Sequence, residues 1–456
     1  MDTDFHFYGT ASAAKSAGFS AEQAQLIGNA AEYVDFYNSD FWSYWSIVDQ
    51  SGNNLLSIDV PQLSCQTIGA KMAIDYQDDL WNAFHFPPGN LQYSAKGRDV
   101  YAWQADFRQR FKARETRSGI KGTLLCRPYS KFAHDMILDT IERFKSLMAL
   151  SKITNGQEAQ QGLQKALNAE FGVDKNGNPR RLTTANIERL AHIFLGIRMH
   201  VLADTWAHQD FSGIASKDLN GAGTLNNVYY PKNSAPDIWQ QSTWTGSLWV
   251  FASDTDCAAA PNAPGSQACR GHGQVGHYPD YSWLSFFYPA AWMSSGSFLL
   301  RSNPEQYNEA WLWLRRVMAE ALGKSTTDMN IPTNVQAVIA KPVELNSKKL
   351  EAVELKEKQW QQLDLCSGFS LADRWNNKQG VFDKTKRNQL GVVGDLPSTR
   401  LGTLKIKQNS DLHLMELASA FHYLWSSNWA KNNKEYGWSP VGLATGYSST
   451  GRYSYD

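Results

Sequence analysis

Apolar residues recur with a period close to 3.6 along most of the chain, the spacing that places them on one face of an α-helix. Strand-like alternation is scarce. Two connectors rich in Gly, Asn, Ser and Pro, 212–282 and 375–405, are typical of loops. The pattern predicts a mainly α fold, a multi-helix single body with long loop insertions, with helices at 20–38, 133–150, 157–171, 188–211, 306–322 and 411–430.

Local signals refine the first predicted helix and add another one at 346–363. Ser20 and Gln23 have the spacing of a capping box, which places the start of a helix at this point. The segment 346–363 is a charged helix, most simply a solvated face, with a partner contact as the alternative.

The sequence offers no run of the roughly 18–20 apolar residues that a membrane-spanning helix needs. The nearest segment, 283–300, is broken by Pro289 and Gly296. We interpret this segment as core or cleft wall, with an aromatic surface that contacts lipid as the alternative.

Charge and cysteine content narrow the function classes. Lys plus Arg and Asp plus Glu both total 44, so net charge does not draw the chain to nucleic acid or to an anionic membrane. Of the five cysteines, Cys257 and Cys269 flank a Pro/Gly/Ala-rich loop and are read either as a disulfide or as two free thiols. The N-terminus lacks the apolar stretch of a signal peptide, so we expect a cytoplasmic protein, or export by a non-classical secretion system.

The helix predicted at 188–211 carries His200, Asp204 and His208 at successive i, i+4 steps. Each step turns the side chain by only about 40° but rises about 6 Å, so the two histidines lie about 12 Å apart. That separation is too large for one zinc ion with bonds of about 2 Å, whereas Asp204 lies between them and can bridge two ions. The alternative is a core helix whose histidines make ordinary hydrogen bonds.

Further histidines and aspartates surround this motif in the sequence. Asp4 and His6 share a face if their segment is extended, and Asp35 falls near the end of the first long helix. A loop rich in turn-forming residues carries three more candidates. The candidate metal ligands are Asp4, His6, Asp35, His85, His200, Asp204, His208, His272, His277 and Asp280.

These residues supply enough ligands for two or three metal ions, most simply Zn²⁺, although Mn²⁺ and Fe²⁺ suit the same ligand types. Three other histidines, His134, His413 and His422, lie among core-type residues and receive no ligand role. His192 lies farther along the helix and is expected in the core or in support of a ligand.

The order of these motifs resembles that of the zinc-dependent phospholipase C and P1-type nuclease superfamily. DFHFYGT, YVDF, FHFPPG, HVLADTWAHQDFSG and GHGQVGHYPD look more closely like an uncharacterised bacterial family that is an offshoot of it. The resemblance covers the motifs and extends over about residues 1–320. It implies a largely helical body with three zinc ions in a cleft.

The resemblance also implies a distribution of the ligands. Asp35, His85 and His200 would hold one ion, His208 with the His272/His277/Asp280 loop a second, and His6 with Asp204 a third. Asp204 would be the bridging ligand.

The chain departs from the superfamily pattern in two places. Three residues separate Asp204 from His208, where the superfamily has five. The superfamily also uses the amino group of an N-terminal Trp as a ligand, and we expect Asp4 to substitute for that amine here.

These observations lead to the hypothesis of a zinc-dependent hydrolase of phosphodiester bonds, phospholipase C-like, with Asp35 and Asp204 as catalytic residues. The neutral charge and the surplus of aromatic residues favour a phospholipid over nucleic acid as substrate. The alternatives are a P1-like nuclease and a non-catalytic, metal-stabilised helical binding module. The missing signal peptide adds the hypothesis of an antibacterial effector toxin with an immunity protein as its partner.

We accordingly divide the chain into three parts. Residues 1–330 form a helical metal-binding catalytic domain with the loop insertion 212–282. Residues 331–405 form a charged helix and loop extension. Residues 406–456 hold a C-terminal helix that packs back on the body, followed by a tail rich in aromatic residues and glycine.

Overall fold

The structure is a computed structural model of the 456-residue chain. It describes residues 1–36, 44–59, 74–94, 97–152, 184–222, 229–232, 235–241, 270–326, 330–343, 349–370, 389, 391–395 and 403–440. The predicted helix at 157–171, the Cys257–Cys269 pair and the tail after 440 lie outside these residues.

The fold is mainly α-helical, as the apolar periodicity predicts. A π-helix, Asp4–Gly9, opens the chain. The α-helices are α1 Thr10–Ala17, α2 Ala21–Phe36, α3 Ile74–Phe84, α4 Trp103–Gln109, α5 Lys131–Ser151, α6 Thr184–Ala207, α7 Lys217–Asn220, α8 Asn303–Ala321, α9 Thr333–Ala340, α10 Lys349–Gln361 and α11 Asp411–Asn432.

Helix α6 lies at the centre of the fold. It packs against α2, α5, α8 and α11, and its residues from 190 onward are buried on every side. A helix that is apolar around most of its circumference is stable only in such a position. The polar residues His200 and Asp204 are therefore carried into the core.

Two glycines permit the close helix contacts around this centre. A Cβ at Gly196 of α6 would lie 2.4 Å from the carbonyl oxygen of Ile27, and a Cβ at Gly28 of α2 would lie 2.8 Å from that of Phe7. Real Cβ atoms do not approach backbone oxygens so closely. The glycines therefore allow α2 to lie directly against both α6 and the π-helix.

Two small sheets accompany the helices, which the scarcity of alternating segments did not predict. One contains β1 Tyr44–Val48, β2 Asn54–Asp59 and β7 Thr403–Lys407 in the order β2-β1-β7. The other has the order β4-β3-β5-β6 and is built from β3 Tyr229–Lys232, β4 Ala235–Gln241, β5 Ser285–Tyr288 and β6 Leu299–Ser302. Strands β3 and β4 lie within the predicted loop 212–282, and β7 overlaps the end of the predicted loop 375–405.

The end of α6 is fixed by a buried ion-pair cluster. Asp210, three residues beyond the helix, has φ +75°, a left-handed conformation that turns the chain, and its carboxylate accepts from Arg114 at 2.9 Å and Arg127 at 2.5 Å. Arg301 donates to the carbonyls of Trp206 and Ala207 at the end of α6 and of Gln209 just beyond it. The chain therefore leaves α6 in a defined direction.

Replacing Asp210 with alanine is expected to lower the free energy of unfolding by about 3–5 kcal/mol, because two guanidinium groups lose their buried partner. Urea titration of the metal-free chain measures this loss. Asp218→Ala is the matched control, since the Asp218–Arg117 pair is exposed and is worth at most about 1 kcal/mol. Equal losses in the two variants would contradict the structural role of Asp210.

Helix α10 differs from its prediction as a solvated face. Lys356 and Trp360 are fully buried against the N-terminal segment. The Lys356 ammonium donates to the carbonyls of Val338, Ile339 and Lys341, which satisfies the end of α9. The charged composition of α10 does not predict this buried face, because only a few residues of the helix are apolar.

The C-terminal helix α11 packs on α6 and α3. Tyr423 on this helix and Trp438 beyond its end both donate to the buried carboxylate of Asp79 on α3.

Within the described residues, no helix is both long and apolar enough to cross a membrane.

Candidate metal centre

The centre is built first on α6. His200 and Asp204, one turn apart, are fully buried, and His200 Nε2 lies 3.1 Å from Asp204 Oδ2. His208 follows one turn later, just after the helix ends at Ala207, and is 5% exposed. The i, i+4 motif of the sequence therefore forms one buried row.

The π-helix places His6 directly on this row. The His6 ring stacks on the His200 ring with centroids 3.8 Å apart, and His6 Nε2 lies 3.2 Å from Asp204 Oδ1. The segment is helical and not extended as predicted, so residues two apart point to different sides. Asp4 consequently lies away from His6 and accepts from Trp360 at 3.3 Å.

Two further elements complete this side of the centre. His85 follows α3, and its Nδ1 lies 2.9 Å from Asp204 Oδ2 and 3.2 Å from His200 Nε2. Asp35, near the C-terminal end of α2, has its carboxylate 3.8–3.9 Å from His6, His85 and His200. Its side chain is 30% exposed, so this part of the centre is open to solvent.

The other side of the centre comes from the loop after Arg270. His208 Nε2 and His272 Nε2 lie 3.4 Å and 3.5 Å from the same oxygen, Asp280 Oδ1. Gly271 has φ +54° and lies against the Phe86 ring, where a Cβ would approach within 2.4 Å. The glycine-rich loop predicted from the sequence therefore brings its ligands to the end of α6.

The ligand atoms converge in four overlapping groups. In each group of three residues, these atoms lie within 4.8 Å of one another, a spacing that can hold a metal ion. The groups are His6/His200/Asp204, Asp35/His85/His200, His85/Asp204/His208 and His208/His272/Asp280. Because neighbouring groups share residues, they form one continuous centre.

The amino group of Met1 lies inside this centre, which the sequence reasoning missed. It donates to Asp204 Oδ1 at 2.9 Å and lies 3.3 Å from Asp280 Oδ1 and 3.4 Å from His208 Nε2. Burial alone would lower its pKa, but the carboxylates of Asp204, Asp280 and Asp35 raise the pKa to about 11. The amino group, and not Asp4, therefore lies between the two sides of the centre.

Backbone carbonyls orient three of the imidazoles. The Nδ1–H groups of His200, His208 and His272 donate to the carbonyls of Ala31, His85 and Gly276 at 2.7–2.9 Å. Their Nε2 atoms therefore carry free lone pairs that face Asp204 or Asp280. These hydrogen bonds fix both the tautomer and the direction of each ring, as metal-ligating histidines require.

The protonation states are those of metal ligands. Burial lowers the pKa of His6 and of His272 to about 3 and also lowers the pKa of His85. Burial would raise the pKa of the Asp204 and Asp280 carboxyls, but the surrounding imidazoles and the Met1 ammonium hold it well below its usual range. Neutral imidazoles and ionised carboxylates bind a cation without first losing a proton.

Several buried polar atoms of the centre have no hydrogen-bond partner, which supports the fit to a metal. These atoms are both ring nitrogens of His6, His85 Nε2 and Asp280 Oδ1. A buried polar atom without a partner costs free energy that a bound cation would recover for lone pairs aimed at it. The donor set of imidazole and carboxylate is one that zinc favours.

The remaining predicted residues take other positions. His277 belongs to none of the four groups, and its Nδ1 lies 3.0 Å from Asp280 Oδ2, on the side of the carboxylate away from His208. His422, given no ligand role, lies close behind the centre, where its Nε2–H donates to the carbonyl of Ala83 at 2.8 Å. This contact supports the segment that carries His85.

The family comparison matches most of the chain. A family model described as a family of unknown function, DUF6765, matches residues 1–392, a range that includes every ligand of the four groups. The chain belongs to the DUF6765 family. No curated protein and no solved structure matches it.

The centre of this DUF6765 chain makes its stability dependent on pH. The unfolded chain binds protons at His6 and His272 near pH 6.5, whereas the folded chain binds them only near pH 3. Between these values the unfolded state holds more protons, so these two histidines destabilise the fold as the pH is lowered. Buried carboxyls such as Asp4 and Glu357, whose pKa burial raises to about 7, act in the opposite direction, so the test is a comparison with His272→Gln. From pH 7.5 to 4, the stability of the unmodified metal-free chain in urea is expected to fall relative to that of His272→Gln. A constant difference between the two chains would contradict the burial of a neutral His272 imidazole.

Proposed function

We propose that this DUF6765 chain is a zinc-dependent hydrolase of phosphodiester bonds, similar to phospholipase C. The observation that carries the proposal is the position of Asp204. Its Oδ1 faces His6 at 3.2 Å, and its Oδ2 faces His85 at 2.9 Å and His200 at 3.1 Å, so the two oxygens face different histidines. A buried carboxylate in this position is the expected bridge of a multinuclear centre, which is a common arrangement in phosphoester hydrolysis.

The residues present fit two or three zinc ions. His85 and His200 with Asp35 would hold one ion, His6 a second, and His208, His272 and Asp280 a third, with Asp204 shared between the first two. When bound, zinc would polarise the phosphoryl oxygens and lower the pKa of coordinated water towards about 7. Manganese and iron suit the same ligands. We also propose that the chain has the fold of the phospholipase C and P1 nuclease superfamily.

Asp35 has the position of the proton-handling residue. It is the most exposed side chain of the four groups, whereas His6, His200 and Asp204 are closed to solvent. Its carboxylate therefore meets incoming water and substrate first. A carboxylate in this position can orient the attacking water and accept its proton.

An apolar row on the outer face of the second sheet supports a phospholipid as substrate. Tyr229, Phe287 and Leu300 are paired across three strands, and Phe298 packs beside them. Leu300 is 61% exposed and Phe298 50% exposed. The inner face of the same sheet lies close to the centre, because Tyr288 stacks on Phe211, whose ring centroid is 5.9 Å from that of His272.

A substrate panel tests the function. Zinc-loaded chain is incubated with phosphatidylcholine vesicles, a soluble aryl phosphodiester and single-stranded DNA, with His208→Ala as the variant that lacks a ligand. We expect release of the phosphorylated headgroup from lipid, dependent on zinc and lost in the variant. Cleavage of DNA alone would favour the nuclease alternative. Stoichiometric zinc without any hydrolysis would favour the non-catalytic binding module.

Replacing Leu300 with aspartate is expected to lower hydrolysis of vesicles and to leave hydrolysis of the soluble phosphodiester unchanged, because only the aggregated substrate meets the sheet face. Initial rates on both substrates measure the effect. Leu355→Asp is the matched control, since Leu355 is also exposed, at 45%, but lies on α10. Equal loss on both substrates, or equal loss in the control, would contradict a lipid-facing role.

A further inference from the structure

A second site of the chain is a polar cavity at the opposite end of α6. It has a volume of about 610 Å³ and lies between the start of α6, the end of β7 and the start of α11. Arg189, which lines it, precedes Asp204 on the same helix by fifteen residues, a rise of about 22 Å. The cavity is therefore separate from the metal centre.

The lining of the cavity is rich in carboxamides. Every side chain that lines it is polar, and half of the ten lining residues are Asn or Gln: Gln50, Asn186, Gln389, Gln408 and Asn409. A carboxamide carries both a donor and an acceptor and so matches hydroxyl groups, which also carry both. Such a set of side chains suits a hydroxylated ligand.

The charge of the lining is positive. Asp411 is the only carboxylate among the lining residues, and it pairs with Arg189 at 2.5 Å. Lys407 adds a positive charge that the lining does not cancel. The ligand that complements this cavity therefore carries negative charge as well as hydroxyl groups.

We propose that this cavity binds a small hydroxylated anion of the sugar phosphate class, independently of the metal centre. Lys407 contacts the anionic group, and the carboxamides contact the hydroxyls. The volume lies within the range of small-molecule sites, which is about 300–1,000 Å³.

Isothermal titration of the zinc-loaded full chain with glucose 6-phosphate, glucose and inorganic phosphate tests this site. We expect glucose 6-phosphate to bind more tightly than glucose or inorganic phosphate alone. Lys407→Ala is expected to weaken binding by about tenfold or more, since a charge-assisted contact is lost. Gln389→Ala, an exposed position, is expected to weaken it less.

Two controls make the outcome decisive. Lys405→Ala removes an exposed charge two residues away on β7 that does not line the cavity, and Asp204→Ala disables the metal centre. Both are expected to bind glucose 6-phosphate like the unmodified chain. Absence of binding, binding that Lys407→Ala leaves unchanged, or binding that only Asp204→Ala removes would overturn the proposal. The last outcome would place the phosphate at the metal centre and leave the proposed function standing.

Discussion

Replacing Asp204 with alanine is expected to remove more than one metal ion per chain from protein that we expect to bind two or three. Asp204 belongs to two of the four ligand groups, and each of its oxygens faces a different set of histidines. Loss of a bridging ligand therefore weakens two positions at once, whereas loss of a terminal ligand weakens one. Mass spectrometry of metal content after zinc loading and desalting measures the difference.

The matched control for this variant is His192→Ala on the same helix. His192 is also buried, but its Nδ1–H donates to the carbonyl of Glu188 and it belongs to none of the groups. Its removal is expected to leave the metal content unchanged. The protein for this experiment carries no N-terminal tag, because the Met1 amino group lies against Asp204. Full metal content in Asp204→Ala would refute the bridged centre.

The part of the centre on α6 could be predicted because it is local. Helical geometry alone places His200 and Asp204 on one face, and the observed 3.1 Å contact follows from an i, i+4 step. The apolar periodicity that predicts α6 also predicts its burial. The helix boundary was less predictable, because it depends on Asp210 and on arginines distant in sequence, Arg114 and Arg127.

The N-terminal side of the centre could not be predicted in the same way. The spacing of Asp4 and His6 indicated a shared face only if the segment is extended, and the structure has a π-helix there. The position of the Met1 amino group depends on how α2 and α10 hold this segment, a long-range arrangement that no local pattern records. The role of Lys356 in that packing could not be predicted either, because lysine is rarely buried and a lysine in the sequence is expected on the surface.

Neighbouring ligands of the centre differ in their access to solvent, from which we expect different tasks. The His6, His200 and Asp204 side chains are fully closed, while Asp35 is 30% exposed at the end of α2. A closed group of ligands can hold an ion but cannot admit substrate. Chemistry is therefore expected next to Asp35, and the closed ligands are expected to hold their ion more firmly.

Asp35→Asn is expected to lower kcat for phosphodiester hydrolysis by about 10²–10⁴ while zinc content stays unchanged, because an amide oxygen can still face a metal but cannot accept a proton. Steady-state kinetics and metal analysis of the same sample measure both quantities. Glu32→Gln is the matched control. Glu32 lies one turn earlier on α2, is buried, accepts from Thr3 at 2.7 Å and belongs to none of the groups. Its conversion to an amide keeps the shape and is expected to leave kcat unchanged. If Asp35→Asn loses zinc in proportion to activity, Asp35 acts as a ligand only and the proton acceptor must be another group.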